Sequence, residues 1–170
     1  MLYSDPIVAF YSGGGDDAGR TVREILAWDD DHLEGVHDYI QWLFPTRRPS
    51  GVNPFAPLVT DDTVRAFTDD PRLRDRLREA FDRMLAFYGL RRDGERIEID
   101  DARFPIRSRV WLHPGNHNHL RLTRIMDSLA TLGLRDDARA LQRCLLDEIA
   151  AGPGDGRISA GTLNFWRSTV

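Results

Sequence analysis

The stretch DPRLRDRLREAFDRMLAFYG, residues 70–89, decides the fold class. Asp70 can accept hydrogen bonds from the first free amides of a helix, and Pro71 has its backbone torsion preset for the first turn. From there Leu73, Leu77, Ala80, Phe81, Met84, Phe87 and Tyr88 fall on one helical face, opposite a face of arginine, aspartate and glutamate. Gly89 supplies a left-handed stop. The spacing predicts a helix over 71–88 with one side buried.

The pattern continues in both directions. Thr21 can cap TVREILAW (21–28). DDDHLEGVHDYIQWLF (29–44) opens with acids, which suit the positive end of a helix, and ends at Pro45. Its Leu33, Val36, Ile40, Leu43 and Phe44 share one side, with Tyr39 and Trp42 opposite, so it reads as a central helix buried on two faces. PTRRPSGVNPFAPLV (45–59) is too rich in proline for a helix. It reads as an ordered loop wrapping the core, because Phe55 and Leu58 call for burial. Thr60 can cap DDTVRAF. The segment 91–110 is polar, with RIEID (96–100) as one short strand. Helices follow over about 116–132 and 136–150, hinged near Gly133 and stopped by GPGDG (152–156). In the tail, Leu163, Phe165 and Trp166 are expected to dock on the core. The expected class is all-α: a single-domain helical bundle with an ordered proline-rich loop and a minor short-strand segment.

Composition excludes several functions. With 170 residues, 41% hydrophobic and 29% charged, the chain suits one globular domain with a real core. A net charge of −4 offers no basic field for nucleic acid. No apolar run is long enough for a transmembrane segment, and MLYSDPIVAFYSGGG lacks the basic start of a signal peptide. Cys144 is the only cysteine, which points to the reducing cytoplasm. All 23 basic residues are arginine, a usage expected of a GC-rich, bacterial genome.

Four motifs bear on chemistry. Gly14–Thr21 has the form G-x-x-x-x-G-R-T, one residue from a phosphate-binding loop. Arginine replaces the lysine, and Asp16 and Asp17 would repel a phosphate, so it reads as a glycine-rich turn. His113, His117 and His119 crowd together, yet a helix would point His117 and His119 about 200° apart. They cannot both face one ion unless the chain is still extended there, and no metal or other cofactor is expected. On the same helix His117, Arg121, Arg124 and Ser128 form a stripe beside the core face of Leu122, Ile125, Met126, Leu129 and Leu132. Two arginines near a helix start oppose its dipole. They call for an anion, either an internal acid such as Glu34 or Asp38, or an external phosphate, nucleotide or carboxylate. His37 and Gln41, four apart, flank the apolar face of the 29–44 helix. Cys144, among leucines, reads as a small buried hydrophobe. No catalytic residues stand out: there is no nucleophile elbow and no placeable pair of carboxylates.

LEGVHDYIQWLFP (33–45) and HNHLRLTRIMDSLATLGL (117–134), with NPFAPLV (53–59) and MLAFYGL (84–90) between them, resemble the conserved N-terminal domain of the opioid growth factor receptor family. The resemblance covers residues 8–150, leaving 151–170 as a C-terminal tail. It implies an all-helical domain. Animal members are described as receptors for an enkephalin peptide that restrains growth, so it also implies a receptor-like role. His37, Tyr39, Gln41, Trp42, Asn118, Arg121 and Arg124 match its motif by position.

The expectation is a binding module for a peptide or an anionic small molecule, with His37, Gln41, Trp42, His117, Asn118, Arg121 and Arg124 as candidate ligand contacts. The alternative is an enzyme acting on an anionic small molecule through His37, Arg121 and Arg124. A third reading is an interaction domain that docks through its aromatic tail.

Overall fold

The structure, a computed structural model, describes residues 4–170. Residues 1–3, which open the stretch read against a signal peptide, lie outside it. The described chain is mostly α-helical, with one two-stranded antiparallel sheet. It divides into two compact units: the described residues up to Ala80 with Thr131–Gly133, and Phe81–Ala130 with Leu134–Val170.

In the first unit, α1 (Pro6–Tyr11) is capped by Asp5, whose carboxylate accepts from the amides of Ile7 and Val8. Its end explains the glycine run. Gly13 takes φ +108°, and the amide of Gly14 returns to the Ala9 carbonyl at 2.9 Å. A side chain on Gly14 would meet that same oxygen at 2.9 Å, so the two glycines form a helix stop. α2 (Val22–Leu26) is capped by Thr21, with Glu24 reaching back to complete the capping box. α3 (Asp30–Gly35) is capped by Asp29, and α4 (Ile40–Leu43) follows.

The 29–44 segment is therefore two helices rather than the single central helix its periodicity suggests. Val36 turns extended, at φ −99° and ψ 133°, directly after Gly35. The Tyr39 hydroxyl donates to the Leu33 carbonyl at 2.8 Å, the acceptor that a continuing helix would offer to the amide of His37. Leu33, Tyr39, Ile40, Trp42, Leu43 and Phe44 are still buried, from two separate elements.

The proline-rich loop is ordered by its own backbone. The amide of Val59 donates to the Thr46 carbonyl at 3.0 Å, and that of Ala56 to the Asn53 carbonyl at 3.1 Å. Phe55 and Leu58 are not buried as expected: they are 86% and 42% exposed. Closure through the main chain lets the loop keep its course with neither Phe55 nor Leu58 tucked beneath it, while Val59 at its base is buried. α5 (Asp61–Asp69) is capped by Thr60, and the Thr63 hydroxyl donates to the Asp5 carboxylate, tying α5 to α1.

α6 (Pro71–Tyr88) begins in the first unit and ends in the second. Every residue assigned to its apolar face is buried. In the second unit, Gly89 (φ +77°) leads into a hairpin of β1 (Leu90–Asp93) and β2 (Arg96–Ile99), in register Leu90↔Ile99 to Asp93↔Arg96. Gly94, at φ +59°, opens its two-residue turn. Arg92 of β1 clamps Asp82 of α6 (2.8 Å). α7 (Phe104–Trp111) lies where the sequence reads only as polar. It contains Pro105 and a buried Arg107, which donates to the Phe87 carbonyl at 2.7 Å and stacks over the Phe87 ring. α8 (Asn118–Thr131) buries Leu122, Ile125, Met126 and Leu129. The Leu134 amide closes its end on the Leu129 carbonyl.

α9 (Arg135–Arg143) continues without a break into a π-helix, Cys144–Ala150. Asp137 of α9 gives Arg92 its second carboxylate, at 2.5 Å. Last comes α10 (Ala160–Ser168). Of the tail residues expected to dock, Trp166 is buried, Leu163 is half-buried and Phe165 is exposed. Phe165 and Trp166 are neighbours on a helix and so point about 100° apart, and both cannot face inward.

Candidate functional site

In the first unit the candidate residues lie at the α3–α4 break. Three bonds shape it: Tyr39 to the Leu33 carbonyl, the Tyr11 hydroxyl to the Leu43 carbonyl at 2.5 Å, and Arg20 to Asp38 at 2.9 Å. The break turns His37 outward, so His37 and Gln41 are not one turn apart on a common helix, as their spacing suggests. Gln41 and Trp42 turn inward, at 4% and 7% exposure. The Trp42 ring meets Phe10 edge to face at 5.5 Å. The Gln41 Oε1 and Trp42 Nε1 atoms are both sealed from solvent and have no hydrogen-bond partner. Such atoms are few in native proteins, and each calls for an explanation.

The glycine-rich turn beside this break supplies its own anion. Asp16 Oδ1 accepts from the amides of Ala18 and Arg20, both at 2.9 Å, and Oδ2 pairs with the Arg20 guanidinium at 2.7 Å. The amides that would cradle a phosphate in a nucleotide loop thus hold a buried carboxylate. Burial acts to lower the Arg20 pKa, but Asp16 and Asp38 outweigh it and hold the value above the ordinary arginine range. The Arg20 guanidinium also lies 5.6 Å from the centroid of the Trp28 ring, which stacks on His32.

In the second unit the candidates lie at the start of α8. Asn116 fixes the entry: its Oδ1 accepts from the Asn118 amide at 2.9 Å, and its Nδ2 donates to the Val110 carbonyl at 3.1 Å. His117 is exposed, one residue before the helix. Asn118 is fully buried, with its Oδ1 3.4 Å from the Tyr88 hydroxyl. His119 is buried, between the edges of Trp111 and Trp166 at 6.3 and 6.0 Å. Burial lowers its pKa below the ordinary value, against the opposing pull of its bond to the Trp111 carbonyl. Arg121 is buried and Arg124 half-buried. Burial lowers the Arg124 pKa, partly offset by Asp127. Ser128, fully buried, has an Oγ without a partner.

The family model described as the opioid growth factor receptor conserved region matches residues 18–170. The chain belongs to the opioid growth factor receptor family. The opioid growth factor receptor of Mus musculus is 39% identical over 134 residues, covering 76% of this chain and 21% of that protein. The Homo sapiens receptor is 38% identical over 139 residues, 76% of this chain and 20% of its own length. Opioid growth factor receptor-like protein 1 of Xenopus tropicalis is 33% identical over 155 residues, 89% of this chain and 30% of its own. The chain thus spans about a fifth to a third of the length of these relatives. No solved structure matches it.

Other features of this opioid growth factor receptor-family domain lie apart from those residues. A pocket of about 140 Å³ is lined by Tyr11, Ser12, Asp70, Arg72, Leu73 and Arg76, none of them a candidate. Its polar groups answer one another: Arg76 donates to the Tyr11 carbonyl, and Arg72 pairs with Asp70 at 2.9 Å. Among the described residues no three His, Cys, Asp or Glu side chains group as metal ligands, and no helix is long and apolar enough to cross a membrane. The sequence placed Tyr88 and Trp166 in the core but left Trp111 unassigned and tied none of the three to the α8 start, which they frame. Their signal was chemical: buried Trp and Tyr carry a donor that needs a carbonyl. Trp111 Nε1 finds that of Tyr88 at 3.0 Å.

Proposed function

We propose that this member of the opioid growth factor receptor family is a receptor-like binding module, and that Gln41 and Trp42 contact its ligand. The observation that carries the reading is the orphaned pair of polar atoms, Gln41 Oε1 and Trp42 Nε1. A buried polar atom left unpaired costs about 1–3 kcal/mol, so a ligand group that pairs with it recovers that cost. Adjacent helical residues diverge by about 100°, so the two act as separate contacts, one accepting and one donating. His37, exposed beside them, offers an additional contact.

In the second unit, Arg121 and Arg124 with Asn118 and His117 suit an anionic group, since a guanidinium binds carboxylate or phosphate through paired donors. The ligand classes are therefore a peptide or an anionic small molecule. The relatives are named as receptors, which favours the peptide. The lone cysteine supports a cytoplasmic setting, and the all-arginine basic complement supports a bacterial source.

The test follows the indole N–H resonances of the isotope-labelled protein during titration with an enkephalin peptide and, separately, inorganic phosphate. Binding of either is expected to shift the Trp42 indole signal. Gln41→Met should weaken binding at least tenfold while leaving the melting temperature unchanged or higher. Binding that survives both Gln41→Met and Trp42→Phe at full strength overturns the assignment.

A further inference from the structure

The 45–59 loop presents apolar side chains to solvent and is closed by its own hydrogen bonds. Phe55 is 86% exposed, Val52 78% and Leu58 42%. The loop is tethered from within: Val59 to Thr46 across its base, Thr46 Oγ1 to the Arg48 carbonyl, and Ala56 to Asn53 at its tip. The Ser50 Oγ accepts from the amides of Val52 (3.2 Å) and Asn53 (3.1 Å). Pro49, Pro54 and Pro57 restrict the torsions that remain. Asn53-Pro54-Phe55-Ala56 is a closed turn with proline at its second position, and it lifts the phenyl ring to the corner. An apolar tip closed by its own hydrogen bonds and prolines has less freedom to lose on binding than an open coil, the property that makes a good anchor for a partner's pocket.

Charge says what kind of partner. From Pro45 to Thr60 there are two arginines and no acid, on a chain whose net charge is −4. Arg47 pairs with the exposed Asp61 at 2.8 Å. Arg48 is exposed, and no ion pair claims its guanidinium among the described residues. We infer that this loop docks a protein partner whose binding pocket is apolar and rimmed by carboxylates, with Phe55 filling the pocket and Arg48 meeting the rim. A lipid surface fits less well. One ring at the corner of a turn matches a pocket better than a broad interfacial face, and the net negative charge opposes accumulation on anionic lipid. The inference is independent of the ligand contacts proposed above.

The test uses the full chain in its native cells with a photo-cross-linking p-benzoylphenylalanine at position 52, and at Leu120 as an exposed control. The partner joined at position 52 is identified, purified and titrated calorimetrically against the wild-type chain, Phe55→Ser and Arg48→Glu. The expected result is direct binding that weakens at least tenfold in each variant, with urea melts unchanged because both side chains are exposed. Three results overturn the inference. One is no adduct at position 52 beyond the control. Another is binding indifferent to Phe55→Ser. The third is a Phe55-dependent association with phosphatidylcholine–phosphatidylserine vesicles, or of the chain with itself, in place of a partner protein.

Discussion

His119 holds the Trp111 backbone: its Nε2 lies 2.9 Å from the Trp111 carbonyl. A carbonyl oxygen only accepts, so Nε2 carries a proton, while burial favours the neutral ring over the imidazolium. The His119 carbonyl in turn accepts from Thr123 Oγ1 and, at 3.4 Å, from Trp166 Nε1. Because the folded pKa lies below the ordinary 6.5, the unfolded chain takes up this proton first as pH falls. The stability tied to neutral His119 is therefore whole above about pH 6.5 and drains away below it, until the folded ring itself protonates. Denaturant melts between pH 7.5 and 5 should show this decline, and His119→Gln, which keeps a donor for Trp111, should flatten it. Parallel pH profiles for the two proteins would remove His119 as the cause.

Asp16→Ala should destabilise the first unit by on the order of 3 kcal/mol, because it strips a buried partner from Arg20 and frees two amides. Urea unfolding measures it. Asp16→Asn keeps an acceptor for the amides and should lose less. Because the loop already encloses its own carboxylate, magnesium ATP should not raise the melting temperature of the wild type.

Gly89→Ala and Gly94→Ala separate two costs of a left-handed glycine. Both have positive φ, but a Cβ at Gly94 meets nothing within 4 Å, whereas at Gly89 it would lie 2.7 Å from Phe104 Cα. The Gly94 variant should lose about 1–2 kcal/mol, the cost of the conformation alone. The Gly89 variant should lose clearly more, since the start of α7 has to move. Equal losses in calorimetric melts would mean that the close approach carries no weight.

Cys144 should be chemically silent in the native protein. It is buried, and burial, with Glu148 and Glu98 nearby, pushes its thiol up to about 12. A thiol-disulfide indicator at pH 8 should react only after guanidinium is added. A stoichiometric reaction without denaturant would show that the π-helix opens.

The elements legible in the sequence were those whose ends and faces agree. α6 has a cap, a proline, an unbroken apolar face and a glycine stop, and each signal points the same way. The 29–44 segment misled because α4 restarts with its apolar residues in step with α3, so the periodicity outlives the break. Nothing local announces that Tyr39 will take the Leu33 carbonyl. α7 was hidden because Arg107 is buried and Ile106 exposed, against the usual pattern. Phe55 was placed inside on hydrophobicity alone, which says what leaving water gains but not whether a surface is there to receive it. As for the site, the α8 stripe was visible as spacing. The orphaned atoms of Gln41 and Trp42 were not, since hydrogen-bond satisfaction depends on neighbours distant in the chain.

The π-helix at Cys144–Ala150 has a consequence for chain length. Its bonds span one residue more than those of an α-helix, so the turn holds a surplus residue. Losing one residue here lets the turn tighten to the ordinary spacing, and the Ile149 carbonyl, which accepts from the Gly154 amide at 2.8 Å, can keep its place at the exit. A deletion of the same size within α8 would instead swing every following side chain by about 100°. Cys144–Ala150 is thus slack in the thread, the place where this chain can lose a residue while Trp166 still reaches its seat against His119.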